Sequence, residues 1–157
     1  MPHAYEHVST GAGFKVKSNN VETMVLNAVT VNLTAAQIIA MYTTPVVVVP
    51  AVTGKAIFVK SVEFDITRTA TAFTSGGVVN VQYDSTANGA GTKTHSDIAA
   101  TVVTGAAGET RTYRIPLVQS DIAVASIEGI GLYISNASGV FATGTGTATV
   151  TVLYTLI

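Results

Sequence analysis

Apolar and polar residues alternate with a period of two along most of this chain, the pattern of half-buried β-strands. The last segment is the cleanest case. There Ala148, Val150, Val152, Tyr154 and Leu156 alternate with Thr147, Thr149, Thr151 and Thr155. Within Ala56–Arg68 the second half repeats the pattern: Val62, Phe64 and Ile66 point one way, Glu63, Asp65 and Thr67 the other. Val79, Val81 and Tyr83 alternate with Val78, Asn80 and Gln82, and Tyr113 and Ile115 point inward from Arg111–Leu117. Val25, Asn27, Val29, Val31 and Leu33 mark a first strand, and Ile130, Leu132 and Ile134 a late one. The β-branched run Val46–Val49, closed by Pro45 and Pro50, suits a short strand buried on both faces, and Ile98–Val103 a weaker one.

The period changes once. Thr34 precedes Ala35–Tyr42 with Gln37 three residues on, the spacing of a capping box. Ile38 and Met41 share one helical face, and Thr44 before Pro45 stops the helix because a residue preceding proline avoids the α region. About eight strands, punctuated by Gly and Ser turns, predict an all-β fold: a single antiparallel β-sandwich with one short helix. The core is expected at Val62, Phe64, Ile66, Val79, Val81, Tyr83, Ile130, Leu132, Val150 and Val152. Residues 1–20 carry no sustained period and are expected to form an N-terminal arm, with the sandwich domain at 21–157.

Composition narrows the function. The 157 residues hold 8 basic and 9 acidic side chains. A folded 16.1 kDa chain exposes roughly 7,400 Å², so one charge serves roughly 400 Å² of surface. Such a surface of hydroxyl, amide and methyl groups suits association with copies of itself or with a large partner. The scattered Lys and Arg form no basic face, which argues against nucleic acid as a partner. Without cysteine there is no disulfide or thiolate chemistry. The start Met1–His7 lacks the basic and apolar regions of a signal peptide, and no apolar run reaches the ~20 residues of a membrane helix. The chain therefore reads as soluble and made in a cytoplasm.

Several short patterns resemble catalytic motifs without their context. His3-Ala4-Tyr5-Glu6-His7 has inverted-zincin spacing but no helical apolar face after it. Gly54-Lys55 ends like a phosphate loop, yet Val49 stands where the first glycine belongs and Ala56 where Ser or Thr would reach magnesium. His95-Ser96-Asp97 holds triad residue types on a polar loop, where sequence neighbours cannot adopt triad geometry among themselves. Its expected place is a solvated loop. Glu63 and Asp65 share a strand face at a spacing near that of paired glycosidase carboxylates, but the chain has no Trp and its aromatics fall mostly on apolar faces. With Arg68, Arg111 and Arg114 they are expected to make salt bridges between subunits. No enzyme activity, cofactor or metal site is expected.

Together Val31–Tyr42, Thr44-Pro45-Val46 leading to Gly54-Lys55-Ala56-Ile57, Gly77–Tyr83, Gly131–Ala137 and Gly144–Ala148 resemble the capsid decoration (cement or auxiliary) proteins of tailed bacteriophages. The resemblance spans roughly residues 30–157. It implies a jelly-roll-like sandwich that forms a homotrimer on the outside of the head, bridges major capsid protein subunits and resides in the virion. The arm would touch the shell through apolar anchors Tyr5, Val8, Phe14 and Val16, with Lys15 and Lys17 meeting acidic groups. Alternatives are a head-fibre base, neck or tail component of the same build, or a carbohydrate-binding module.

Overall fold

The structure is a computed structural model that describes residues 25–116 and 122–157. Within residues 8–22 it gives backbone pairing alone: Val8–Ser9 with Phe14–Lys15, and Lys17–Ser18 with Val21–Glu22. The described strands are β1 (Asn27–Thr34), β2 (Val46–Val49), β3 (Ile57–Arg68), β4 (Thr74–Ser75), β5 (Val79–Tyr83), β6 (Thr92–Lys93), β7 (Thr110–Ile115), β8 (Leu132–Asn136), β9 (Phe141–Ala142) and β10 (Gly146–Leu156). Helix α1 (Ala35–Ala40) follows β1, and one helical turn, α2 (Ala100–Val103), precedes β7.

Two four-stranded antiparallel sheets form the sandwich, in the orders β7-β3-β10-β1 and β6-β5-β8-β2. With these eight strands counted along the chain, first pairs with eighth, second with seventh, third with sixth and fourth with fifth. That is one long hairpin rolled up on itself, the jelly-roll arrangement of two four-stranded sheets. The small β4–β9 ladder closes one end, with Phe73 and Phe141 buried beneath it.

The core lies between the sheets, as the alternation predicts. All ten expected core residues are buried except Ile130, which is half-buried. Strand β3 changes phase along its length. Ile57 and Val59 face inward, then Val62, Phe64, Ile66 and Arg68 do. A bulge makes the switch: Leu153 pairs with Ser61 and Tyr154 with Val59, leaving Lys60 as the extra residue. Inward pairs such as Phe64 with Val150 and Val62 with Val152 then stack between the sheets, while Glu63, Asp65 and Thr67 turn outward. Thr34 caps α1 in a full capping box with Gln37, and the helix drives Ile38 into the core while Met41 follows at its end.

Two local expectations are corrected. Ile98–Val103 is not a strand: Ile98 makes a single bridge to Val79, then the chain turns helical. That turn brings the Val102 and Ala106 carbonyls to the Arg68 guanidinium and buries Val103. Val46–Val49 lies at a sheet edge, so Val48 and Val49 are buried but Val47 is exposed.

Candidate functional site

The two sheets present opposite kinds of outer face. On β7-β3-β10-β1 the register aligns outward residues into three rows that cross all four strands. The rows are Thr110-Thr67-Thr147-Thr34, Thr112-Asp65-Thr149-Asn32 and Arg114-Glu63-Thr151-Thr30. Eight of the twelve positions are threonine, and every one is exposed or half-buried. Their hydroxyls bond along the rows: Thr67 to Thr110 at 3.2 Å, Thr30 to Thr151 at 3.1 Å, and Thr149 donating to Asn32 Oδ1 at 3.0 Å. Threonine is favoured there because a β-branched side chain packs well on a pleated surface. We call this the open sheet.

Of the three charged positions in these rows, Arg114 and Glu63 pair with each other, whereas Asp65 has no ion-pair partner among the described residues and its Oδ1 is buried without a hydrogen bond. Arg114 Nε lies 2.8 Å from Glu63 Oε2, and that contact holds the guanidinium above its ordinary pKa. Glu63 and Asp65 share the face, as expected, and Glu63 is bridged to Arg114 within the chain. At the end where the chain enters and leaves the sheet, Leu26, Phe58 and Ile157 are exposed, with the Lys60 ammonium 4.3 Å from the Phe58 ring centre. Apart from the Arg114–Glu63 pair and the Asp65 carboxylate, the face is a field of methyls and hydroxyls. It can be covered by another protein at little desolvation cost, because each hydroxyl exchanges one hydrogen-bond partner for another.

On the other sheet the middle of the outer face, on β5 and β8, is covered, whereas Val47 and Lys93 on the edge strands are exposed or half-buried. Asn80, Gln82 and Ser135 are each 0 % exposed. The 84–94 loop lies over them. Gln82 Nε2 donates to the Thr86 and Asp84 carbonyls, its Oε1 accepts from Gly91 N–H, and Ser135 Oγ accepts from Gly89 N–H while donating to the Met41 carbonyl. Gly91 and Gly89 are needed at these contacts, since a Cβ on either would lie within 3.0 Å of Gln82 and Tyr83 or of Ala137. The Asn80 amide makes no hydrogen bond within the described residues.

His95 belongs to this cover and is not solvated. It is 1 % exposed; Nε2 accepts the Val81 N–H at 2.9 Å, and Nδ1 faces the Ser96 carbonyl. The ring thus takes a ladder hydrogen bond of β5 just past the end of β6 and must be the Nδ1–H tautomer. Burial lowers its pKa, against smaller upward effects of the Ser96 carbonyl and Asp97. With both nitrogens held by backbone, the ring cannot activate Ser96, and Asp97 is engaged by Lys93 at 2.6 Å. The triplet is structural.

Arg68 is the deepest polar anchor that local reading missed. It is 1 % exposed and bonds the Val102 and Ala106 carbonyls at 2.6 and 2.9 Å and Glu109 at 2.9 Å. Glu109 also reaches Arg111 at 3.0 Å, so these ion pairs are internal too. The signal was in the phase of β3, which places Arg68 inward after Val62, Phe64 and Ile66.

The remaining candidates gain no partners. Gly54 sits at φ +66° in a turn closed by Lys55 N–H to the Val52 carbonyl, with no phosphate cradle around it. An open groove of about 450 Å³ between α1 and β2 is lined by small and apolar groups, including Ala36, Ala40, Pro45 and Val47. Among the described residues no three His, Asp or Glu side chains cluster as metal ligands, and no helix is long and apolar enough to cross a membrane. His3, His7, Tyr5 and Val16 lie outside the described residues, as do the side chains of Val8, Phe14, Lys15 and Lys17. No protein-family model, curated protein or solved structure matches the chain.

Proposed function

We propose that this chain is a structural protein of a tailed-phage virion that decorates the capsid exterior and stabilises it by bridging major capsid protein subunits. The observation that carries the reading is the open face: three rows of threonine-rich positions whose only charges are one internal ion pair and Asp65. Such a face suits a permanent contact with a large protein surface, where a standard interface covers ~800 Å² per partner. The low overall charge and the segments that resemble decoration proteins support the same reading, as does the jelly-roll strand order. In this reading the protein is a homotrimer and the arm, through Tyr5, Val8, Phe14 and Val16 with Lys15 and Lys17, adds a strap to the shell.

Co-sedimentation with phage heads that lack the protein tests the proposal. The full chain is expected to pellet with heads at a saturating, symmetry-related copy number. Thr147→Glu/Thr149→Glu, which adds two acidic charges beside the unpaired Asp65 in the middle of the face, is expected to reduce binding at least tenfold while the fold persists, since unmatched charge at an interface centre is strongly unfavourable. No binding of the full chain to heads would overturn the reading.

A further inference from the structure

Each sheet ends in two edge strands, and an edge offers unpaired N–H and C=O groups to any further strand. Three of the four edges here are blunted. Strand β6 has two residues, one of them Lys93. Strand β2 has four, lies between Pro45 and Pro50, and is bulged where Leu132 pairs with Val49 but Tyr133 with Val47. Strand β7 carries Arg111 and Arg114 and stops at Pro116.

The fourth edge has none of these devices. Strand β1 runs for eight residues, Asn-Ala-Val-Thr-Val-Asn-Leu-Thr, with no charge, proline or glycine and no break in its register against β10. No other described strand pairs with its free side. A long, uncharged, regular edge is the type that proteins avoid unless something pairs with it.

We propose that the free edge of β1 pairs antiparallel with β1 of a second copy about a two-fold axis. Residues directly opposite in a sheet share a face, so only registers whose paired numbers sum to an even value keep the cores aligned. Centring the pair on Val31 sets Val29 against Leu33 of the second copy on the inner side, all apolar. On the outer side it sets Thr30 against Asn32 and Ala28 against Thr34 of the second copy. Centring on Thr30 instead puts the buried Asn27 against Leu33, a polar–apolar mismatch. No charge faces a charge in the Val31 register. The open sheet then becomes eight strands wide, and its threonine rows continue across the axis. This contact goes beyond attachment to a shell: it is separate from the three-fold contact of the proposed trimer and joins one trimer to the next, whatever they decorate.

The absence of cysteine from the chain makes the test direct. Opposed Cβ atoms in such a pair lie about 4.5–5.5 Å apart, close enough for a disulfide after small adjustment. Val31→Cys in the full chain is expected to form covalent pairs on mild oxidation, read on a non-reducing denaturing gel, whereas Val140→Cys at an exposed loop site forms few. Mixed Thr30→Cys and Asn32→Cys chains are expected to cross-link to each other in preference to themselves. Adding Thr30→Lys/Asn32→Lys to Val31→Cys, which opposes like charges twice, should lower the yield about tenfold. Circular dichroism confirms that each variant is folded. Cross-linking of folded Val31→Cys no better than Val140→Cys, or no preference in the mixture, overturns the proposal. So does cross-linking that appears only after residues 1–24 are removed, which would assign the edge to the chain's own arm.

Discussion

The two sheets of this sandwich are built from similar alternating strands yet end in opposite surfaces. On the open sheet the outward residues are mostly threonine, bonded to one another along rows and left uncovered within the described residues. On the covered sheet Asn80, Gln82 and Ser135 occupy the equivalent outward positions and are sealed under the 84–94 loop. The difference separates two tasks. Side chains that bond across to a loop are fixed parts of one fold, because leaving a buried donor or acceptor unmatched is expensive. Hydroxyls that bond only sideways remain free to accept a partner. Stability is thus concentrated in the covered half and at Arg68, and association on the open half.

That contrast predicts where substitutions act. The largest effect is expected at Arg68, whose buried guanidinium satisfies two carbonyls and reaches the half-exposed Glu109. Arg68→Met should destabilise the fold by about 3 kcal/mol, the scale of leaving buried carbonyl acceptors without a donor, measured by denaturant unfolding. Arg114→Ala on the open face should leave the midpoint unchanged. Next comes Gln82→Leu, which strips three loop hydrogen bonds and should lose about 2 kcal/mol. Its counterpart Thr149→Val on the open face should stay within about 0.5 kcal/mol. Equal losses from Gln82→Leu and Thr149→Val would break the comparison.

His95 extends it to pH. Its folded-state pKa lies below the 6.5 of the free side chain because burial disfavours the cation. The unfolded chain therefore binds the proton first, and stability present above pH 6.5 falls as the pH drops from there toward the folded pKa. One proton gives a slope of at most about 1.4 kcal/mol per pH unit. Asp97, Lys93 and the Ser96 carbonyl are the groups that modulate it. Urea midpoints between pH 7 and 5 should show this slope in the natural chain and lose it in His95→Gln; an unchanged slope would assign the acid sensitivity elsewhere. A loss smaller than at Arg68 or Gln82 is expected at Tyr83, whose hydroxyl donates to the Ile57 carbonyl at 2.7 Å and whose pKa burial raises to about 12. Tyr83→Phe should lose about 1 kcal/mol by thermal unfolding.

Much of this architecture is legible in the order of the residues alone. The alternation of β3 and β10, the capping box at Thr34–Gln37 and nearly all of the predicted core appear where local pattern places them. Local pattern fails where the deciding partner is distant in sequence. Val79-Asn80-Val81-Gln82-Tyr83 alternates like the open-sheet strands, and nothing within it reveals that a later loop seals the polar side. His95 sits in a polar stretch but is recruited by Val81 N–H, fourteen residues back. Ile98–Val103 has strand-forming residues, yet its helical turn is fixed by what Arg68 binds, more than thirty residues earlier. The threonine rows were legible strand by strand; their alignment into one face required the register.

The central claim is that the open face and not the covered one is the surface through which this protein works. A cryo-electron microscopy map of heads carrying the protein, at side-chain resolution, tests it most directly. The account predicts Thr67, Thr147, Thr149 and Thr151 in van der Waals contact with another chain on every decorated position, with the 84–94 loop undisturbed over Gln82. A map in which those threonines face open solvent on every copy, while the covered sheet or the loop over it makes the contacts, would contradict it.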